Sequence, residues 1–389
     1  MSAILLAPHL EYPPRHGADI YAERLGCYLS IQRGEVLILG ASTLTYYENG
    51  SMLRQETYPN AMRSKNEAVL RALMKGGNYL AEKFLTPGFR LKAAEILAAH
   101  PNSLIVCSYI LTASLLTKGA GPNPIVVLSH NDDVAWFRHL HQSSKNPLQK
   151  LAAWFSERWV ERFLHEHAGQ FVFAHISAAD YAGYQHILPD QRAIIVPAGV
   201  DIEPLPTTLA WDGITRLFFF GSLSANLNYA ALAFFRERFW PVIQPGLAGS
   251  VEVWVAGSRP SPAVQHLCRK QNWPLYPDLS DEDLRMLFSK ANFSILPFPY
   301  TTGAKLKLLQ SLAAGLPVLG TTNMVCLPGQ DFPPNLYSDD PQDWLAHLRQ
   351  FAQAGLQPAA RQACQQFAAH YQWKSIAAKM DEELRQMGI

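Results

Sequence analysis

Residues 297–320 combine glycine, lysine and a polar amide at spacings suited to an anionic ligand. An apolar segment runs into Gly303, then Lys305, Lys307 and Gln310, then Gly315, Pro317 and a second apolar segment. The pattern predicts strand, loop, helix and strand. Gly303 lets the backbone pass close to a ligand, and the following helix turns its unpaired N–H groups and positive dipole end toward the loop. Lysines in a first helical turn oppose that dipole, so Lys305 and Lys307 call for a negative group, and the pair suggests a diphosphate. An ordinary amphipathic helix with solvated lysines would carry them at its other end. Gln310 lies three residues beyond Lys307 on the same face, where its amide can donate and accept toward a vicinal diol such as a ribose. Gly315, with Pro317 just beyond, ends the helix.

A second loop of this kind follows the apolar run Leu217 to Phe220, with Gly221, Ser222 and Asn226 ahead of a helical stretch at 229–235. Alone it is a weak signal, because any strand-to-helix connection can place glycine and serine there. Gly257, at another strand end, reads as structural. In the first half, His130, Asp132 and Asp133 follow the apolar run 125–128, which puts three ionisable groups at the carboxyl edge of a sheet. Acid/base chemistry and a plain polar turn with a helix cap both fit them. His16 and Asp19, which flank Gly17, and Glu11 are further acid/base candidates. Asp281 and Asp283 superficially suggest metal ligands, but they follow Ser280 in a helix-capping pattern.

These side chains need a scaffold, and the chain supplies one by alternating short apolar runs with longer amphipathic segments. That is the pattern of α/β domains with doubly wound parallel sheets. Strands are predicted at 3–7, 36–39, 104–107, 125–128, 171–173 and 194–196, and again at 217–220, 251–256, 293–296 and 318–320. Between the two sets, residues 197–206 are rich in proline and turn formers. The expected organisation is two Rossmann-like domains, at 1–199 and 213–370, a linker at 200–212, and a helix at 371–389 returning to the first domain. Open sheets of this kind bind ligands beyond the carboxyl ends of their strands.

The chain has 389 residues with 33 Lys and Arg against 32 Asp and Glu, and 48% of its residues are hydrophobic. That near balance removes an electrostatic case for a nucleic-acid partner, and the apolar content is too high for disorder. The first residues read as a buried strand instead of a leader. No apolar run reaches the roughly 18–20 residues of a membrane span. The five cysteines are scattered without any C-x-x-C pair, which reads as reduced thiols in a cytoplasmic protein. Residues 63–92 hold seven Lys or Arg against two Glu, interleaved with Leu73, Met74, Tyr79, Leu80, Phe84, Leu85 and Phe89. Such a stretch suits peripheral contact with an anionic membrane face, or a solvated helical hairpin with a buried stripe. The aromatic run at 148–167 reads as core packing.

With these residues in view, the second half resembles the donor-binding domain of GT-B glycosyltransferases, particularly the family 4 type that uses nucleotide sugars. Gly221, Ser222 and Leu223, with Asn226 or Asn228, match its G-S-L run, and residues 303–318 match its later G-I-K-N-K-L-L-E-A-M-A-A-G-x-P-V run. Residues 197–201 resemble the family's P-N-G-V-D crossing, and residues 10–18, with Gly17, its first N-terminal loop. The family's E-x7-E carboxylates would fall at Thr302 and Gln310; this chain lacks both and has a K-x-x-Q variant.

The resemblance implies transfer of a sugar from a nucleoside diphosphate, UDP- or GDP-linked, to a glycan or lipid-linked acceptor. The donor is a substrate; no cofactor or bound metal is implied. Gly17, Gly221, Ser222, Asn226, Gly303, Lys305, Lys307 and Gln310 would hold the donor. Thr302 in place of the first carboxylate tilts the expectation toward inversion, which needs a general base from the first domain. Asp132 or Asp133 is the first choice, with His130 as a polar contact. The missing carboxylates also fit a catalytically silent homologue that binds nucleotide or glycan beside a partner enzyme.

Overall fold

A computed structural model describes residues 2–14, 17–117, 123–201, 212–300, 306–354 and 358–389. The chain divides into two compact units, one formed by Met1–Ala198 with Trp373–Ile389, the other by Gly199–Gln372. Most of the expected linker, and Gly303, Lys305 and His16, lie outside the described residues.

The first unit is built on an eight-stranded sheet of β1 (Ala3–Leu6), β2 (Glu35–Leu39), β3 (Thr43–Glu48), β4 (Ser51–Thr57), β5 (Leu104–Ser108), β6 (Ile125–Ser129), β7 (Val172–His175) and β8 (Ala193–Ile195). Their order is β4-β3-β2-β1-β5-β6-β7-β8. The pairs among β2, β1 and β5 to β8 are parallel, and both faces are covered, so β1, β5, β6 and β7 are buried along their whole length. Among the described strands, the β2–β3 and β3–β4 pairs are antiparallel. That hairpin was not anticipated from the sequence, although Asn49 and Gly50 both take the positive φ that a tight hairpin turn requires. Strand β4 is exposed at every residue and carries Arg54, Gln55 and Glu56, polar groups that suit a sheet edge.

The helices of this unit are α1 (Gly17–Arg33), α2 (Lys65–Lys75), α3 (Tyr79–Phe84), α4 (Pro87–Ala99), α5 (Ile110–Ala113), α6 (Asp133–Ser143), α7 (Pro147–His167) and α8 (Ala178–Gln185). Side-chain oxygens of Ser64, Asn78, Thr86, Asp132, Asn146 and Ser177 accept from the first free N–H groups of α2, α3, α4, α6, α7 and α8. The apolar side chains of 63–92 largely turn inward, contrary to the surface reading. Tyr79, Leu85 and Phe89 are core residues, while Leu73 and Leu80 pack half-buried against the core. Met74 remains exposed, as does Trp154 on α7, which the aromatic spacing had suggested for the core.

The second unit carries β9 (Thr215–Phe220), β10 (Val251–Gly257), β11 (Leu275–Pro277), β12 (Phe293–Leu296), β13 (Val318–Gly320) and β14 (Leu336–Tyr337), in the order β11-β10-β9-β12-β13-β14. Every pair is parallel. Its helices are α9 (Asn226–Phe234), α10 (Trp240–Gly246), α11 (Pro262–Gln271), α12 (Asp281–Lys290), α13 (Leu306–Ala313), α14 (Pro341–Ala354) and α15 (Pro358–Ala369). Ser280 caps α12, accepting from Asp283 N–H while its own hydroxyl donates to the Asp283 carboxylate. Among the described residues, no helix is long and apolar enough to cross a membrane.

The last helix, α16 (Trp373–Gln386), belongs to the first unit, where it packs against α1. Trp373 is buried against Tyr21, ring centroids 5.3 Å apart. Arg33, at the end of α1, donates to Asp381 on α16, and both side chains are almost wholly enclosed. Arg385 donates to the other Asp381 oxygen at 2.7 Å. Losing Arg33 takes from the buried Asp381 its one enclosed partner and leaves it only the largely exposed Arg385. Arg33→Met should therefore cost about 3 kcal/mol, read as a lower urea midpoint for tryptophan fluorescence, and adding Asp381→Leu should recover much of that loss. Full stability in the single variant would show that the pair does not hold α16.

Candidate functional site

In the second unit, the ends of β9, β10 and β12 and the start of α13 assemble one polar corner. Strand β9 delivers Gly221 into a turn with φ of 140°, a left-handed conformation open to glycine. A Cβ there would lie 2.5 Å from Lys307 Nζ, so the absent side chain is what lets the lysine lie over the turn. Lys307 Nζ donates to Asn228 Oδ1, while the Asn228 amide donates to Ser222 C=O at 2.7 Å. One asparagine thus ties the loop to the lysine. The ammonium also sits 4.8 Å from the ring centre of Phe219 and 5.1 Å from that of Phe298. Burial among these rings lowers the Lys307 pKa from 10.5 to about 7.

Gly257 brings the next loop in. Its φ is 156°, and a Cβ would fall 1.7 Å from the Gly221 carbonyl oxygen, so nothing larger fits. Gly221 N–H donates to Ala256 C=O at 3.0 Å and Leu223 N–H to Ser258 C=O at 2.9 Å, which locks the two connections together. Gln310, on the next turn of α13, is half-buried, and Ser311 Oγ donates back to Lys307 C=O at 2.7 Å. Helix α13 ends where expected, with Gly315 at a φ of 68° and Leu316 N–H bonded to Ser311 C=O. The corner therefore unites Gly221, Ser222 and Lys307, with Gln310 three residues further along α13. Asn226 does not join it: it opens α9 exposed to solvent, and Asn228, two residues further into the helix, points inward instead.

In the first unit, the carboxyl ends of β1, β5 and β6 gather a second polar group. His130 is buried, shares a 2.8 Å hydrogen bond between Nε2 and Ser108 Oγ, and has ring neighbours in Tyr109 at 4.4 Å and Tyr21 at 5.1 Å. Burial, with nearby His9 adding to it, drives its pKa down to about 3, so it is neutral at physiological pH. Asp132 accepts from Ala135 N–H at 2.9 Å as the cap of α6. Asp133 is buried beside Tyr184, whose hydroxyl donates to Oδ2 at 3.1 Å. Burial raises the Asp133 pKa to about 7; the Tyr184 bond opposes that rise, and the charges of Asp132 and Asp180 assist it. Gly17 opens α1 at the surface, and Glu11 is exposed.

His9, just past β1, was missed from the sequence. Its Nε2 lies 3.5 Å from Oδ1 of the buried Asp19, and its ring stands edge-on to Tyr109 at 4.9 Å. Tyr109 takes a φ of 68°, a strained choice for a bulky side chain, immediately after β5. The signal available beforehand was position alone: a histidine in the first loop beyond the first parallel strand.

These positions can be set beside known proteins. Residues 214–353 match the family model described as "Glycosyl transferases group 1". That segment holds the whole Gly221–Lys307 corner, and the chain is an enzyme of the glycosyltransferase class, whose chemistry is sugar transfer from a nucleotide donor. No curated protein matches this sequence. Among solved structures, a sucrose-phosphate synthase from Thermosynechococcus elongatus is similar with a TM-score of 0.66 at 13% identity, covering 100% of this chain and 99% of that one. A trehalose-6-phosphate protein from E. coli bound with UDP-2-fluoro glucose gives 0.64 at 12%, covering 99% of each chain. The alpha,alpha-trehalose 6-phosphate synthase from Burkholderia multivorans gives 0.61 at 13%, covering 100% and 99%. At such identity the likeness concerns the fold, which is GT-B with two Rossmann-like parallel-sheet units.

The depressed Lys307 pKa carries a stability consequence. Between pH 7 and 10.5 the unfolded lysine holds a proton that the folded one has released, so this group's contribution to stability rises with pH across that window. Relative to the native protein, Lys307→Met should be most favoured near pH 7, its advantage shrinking as pH climbs. Urea midpoints of both proteins from pH 7 to 9.5 test this, and a difference that stays flat would contradict a desolvated ammonium.

Proposed function

We propose that this protein transfers a sugar from a nucleoside-diphosphate donor to a hydroxyl of a glycan or lipid-linked acceptor, with inversion and without a bound metal. The carrying observation is the Gly221–Asn228–Lys307 corner, a cation held among aromatic rings beside a glycine turn and close to a helix start. Such a corner favours a ligand that brings negative charge, because protonating Lys307 without one costs desolvation energy. Lys307, with Lys305 and the N–H groups of the Gly303 and Gly221 loops, would meet the charge of the leaving diphosphate. Gln310 would hold the ribose, and Ser222 and Gly17 would make further donor contacts. The UDP-2-fluoro glucose of the E. coli structure favours a uridine donor over a guanosine one.

For the acceptor side we infer that His9 is the general base. Asp19 would orient its ring and stabilise the imidazolium once the acceptor proton has been taken, and neutral His130 would brace the ring from its other side. Asp132 would serve α6 as its cap. A second reading rests on Asp133, whose carboxyl titrates near neutrality as a base should.

Calorimetry with UDP-glucose separates the donor role. Lys307→Ala should weaken binding at least about tenfold. Native affinity should fall as pH rises above about 7, because the sugar nucleotide keeps its diphosphate charge while Lys307 loses its proton. Affinity that is unchanged in the variant would remove the diphosphate site. For the base, His9→Ala should lower kcat by about 10²-fold or more while donor affinity holds, and Asp133→Asn should leave most turnover. The opposite ranking, with loss of a kinetic pKa near 7 in Asp133→Asn, would transfer the role to Asp133.

A further inference from the structure

Helices α2 and α7 lie side by side: Lys65 Nζ donates to Gln149, and Tyr79 N–H, just past α2, donates to Ser156 Oγ on α7. Their inner stripes feed the core through Val69, Ala72, Ala152 and Val160. Their outer faces are unusual for a solvated surface. Leu70 and Met74 stand one helical turn apart on α2, with Met74 69% exposed. Leu148, Leu151 and Trp154 stand at the matching spacing on α7, with Trp154 38% exposed. Large apolar residues scattered singly need no explanation, whereas ranks of them on adjoining helices mark a contact surface.

Charge on the same helices identifies the occupant. Lys65, Lys145 and Lys150 are exposed around these residues, Lys75 is exposed but paired with Glu82 at 2.8 Å, and Arg158 lies over the Trp154 ring with its guanidinium carbon 5.9 Å from the ring centre. Among the described residues Lys145 and Lys150 have no carboxylate within 4.0 Å, while Glu67 and Glu161 are already engaged by arginines. A second copy of this chain would bring like charges together across the interface. A leaflet containing anionic lipid offers the complementary arrangement, headgroup charge for the lysines and acyl boundary for Leu, Met and Trp.

We propose that the α2–α7 face seats the first unit on an anionic lipid bilayer, with Leu70, Met74, Leu151 and Trp154 entering the interface. The surface goes beyond the sugar-transfer reading and stands without it. It also replaces the broader 63–92 stretch expected from sequence, since much of that stretch's apolar content lies in the core.

The test is sedimentation of the full chain with phosphatidylcholine vesicles, with and without phosphatidylglycerol, in the absence of any sugar nucleotide. The native protein should sediment with the anionic vesicles and be released by salt. Leu151→Glu combined with Trp154→Glu should weaken partitioning about tenfold or more, as should Lys145→Ala combined with Lys150→Ala. All these positions are exposed, so circular dichroism melting curves should match the native one. No sedimentation with anionic vesicles, or sedimentation unaffected in both double variants, would overturn the proposal. So would a native dimer in analytical ultracentrifugation that Trp154→Glu dissociates, which would assign the face to a second copy. Donor calorimetry on the same preparations keeps a failed membrane result separate from a failed transferase result.

Discussion

A lysine ammonium enclosed between two phenylalanine rings organises the second unit's functional corner. Water would solvate that charge better than the rings do, so the arrangement persists because the backbone leaves the lysine little choice. Asn228 anchors it, Ser311 fastens the backbone beneath it, and the missing side chain of Gly221 clears its path. The resulting site is electrically unfinished. An arriving diphosphate would complete it, and the stability withheld from the empty protein would then become available to binding.

The first unit uses a different device. Its parallel strands end in short, polar turns, and several residues beyond them are buried together: neutral His130 against Ser108, Asp133 under Tyr184, Asp19 beside His9. Enclosure separates their titration behaviour, pushing His130 toward the neutral imidazole and Asp133 toward the protonated acid. In both cases burial favours the uncharged form. The left-handed backbone at Tyr109 belongs to this corner too.

Much of this was legible beforehand because its signals are local. Apolar runs of strand length located the central strands of both sheets, and Lys307, Gln310 and Gly315 stood out by spacing, whereas Gly221 was a weak signal taken alone. The antiparallel hairpin escaped because β4 is exposed throughout and shows no hydrophobic alternation, although Asn49-Gly50 marked its turn. Strands β11 and β14 are too short to leave a pattern. The choice of Asn228 over Asn226 depends on helical phase at the first turn of α9, which a motif does not resolve. The approach of His9 to Asp19 joins a strand end to a helix face, and Trp154 looks like a core residue in sequence because helical spacing is blind to whether a neighbour covers it.

The placement of α16 bears on how the protein is made. Its second unit is one uninterrupted piece, from Gly199 to Gln372, whereas the first is assembled from segments on either side of it. During synthesis the later-born unit can reach its native packing while the earlier one still lacks the helix that covers α1. Until the ribosome delivers Trp373 and Asp381, Tyr21 and Arg33 await their partners, and a nascent chain paused there would offer chaperones an open seam on its older half.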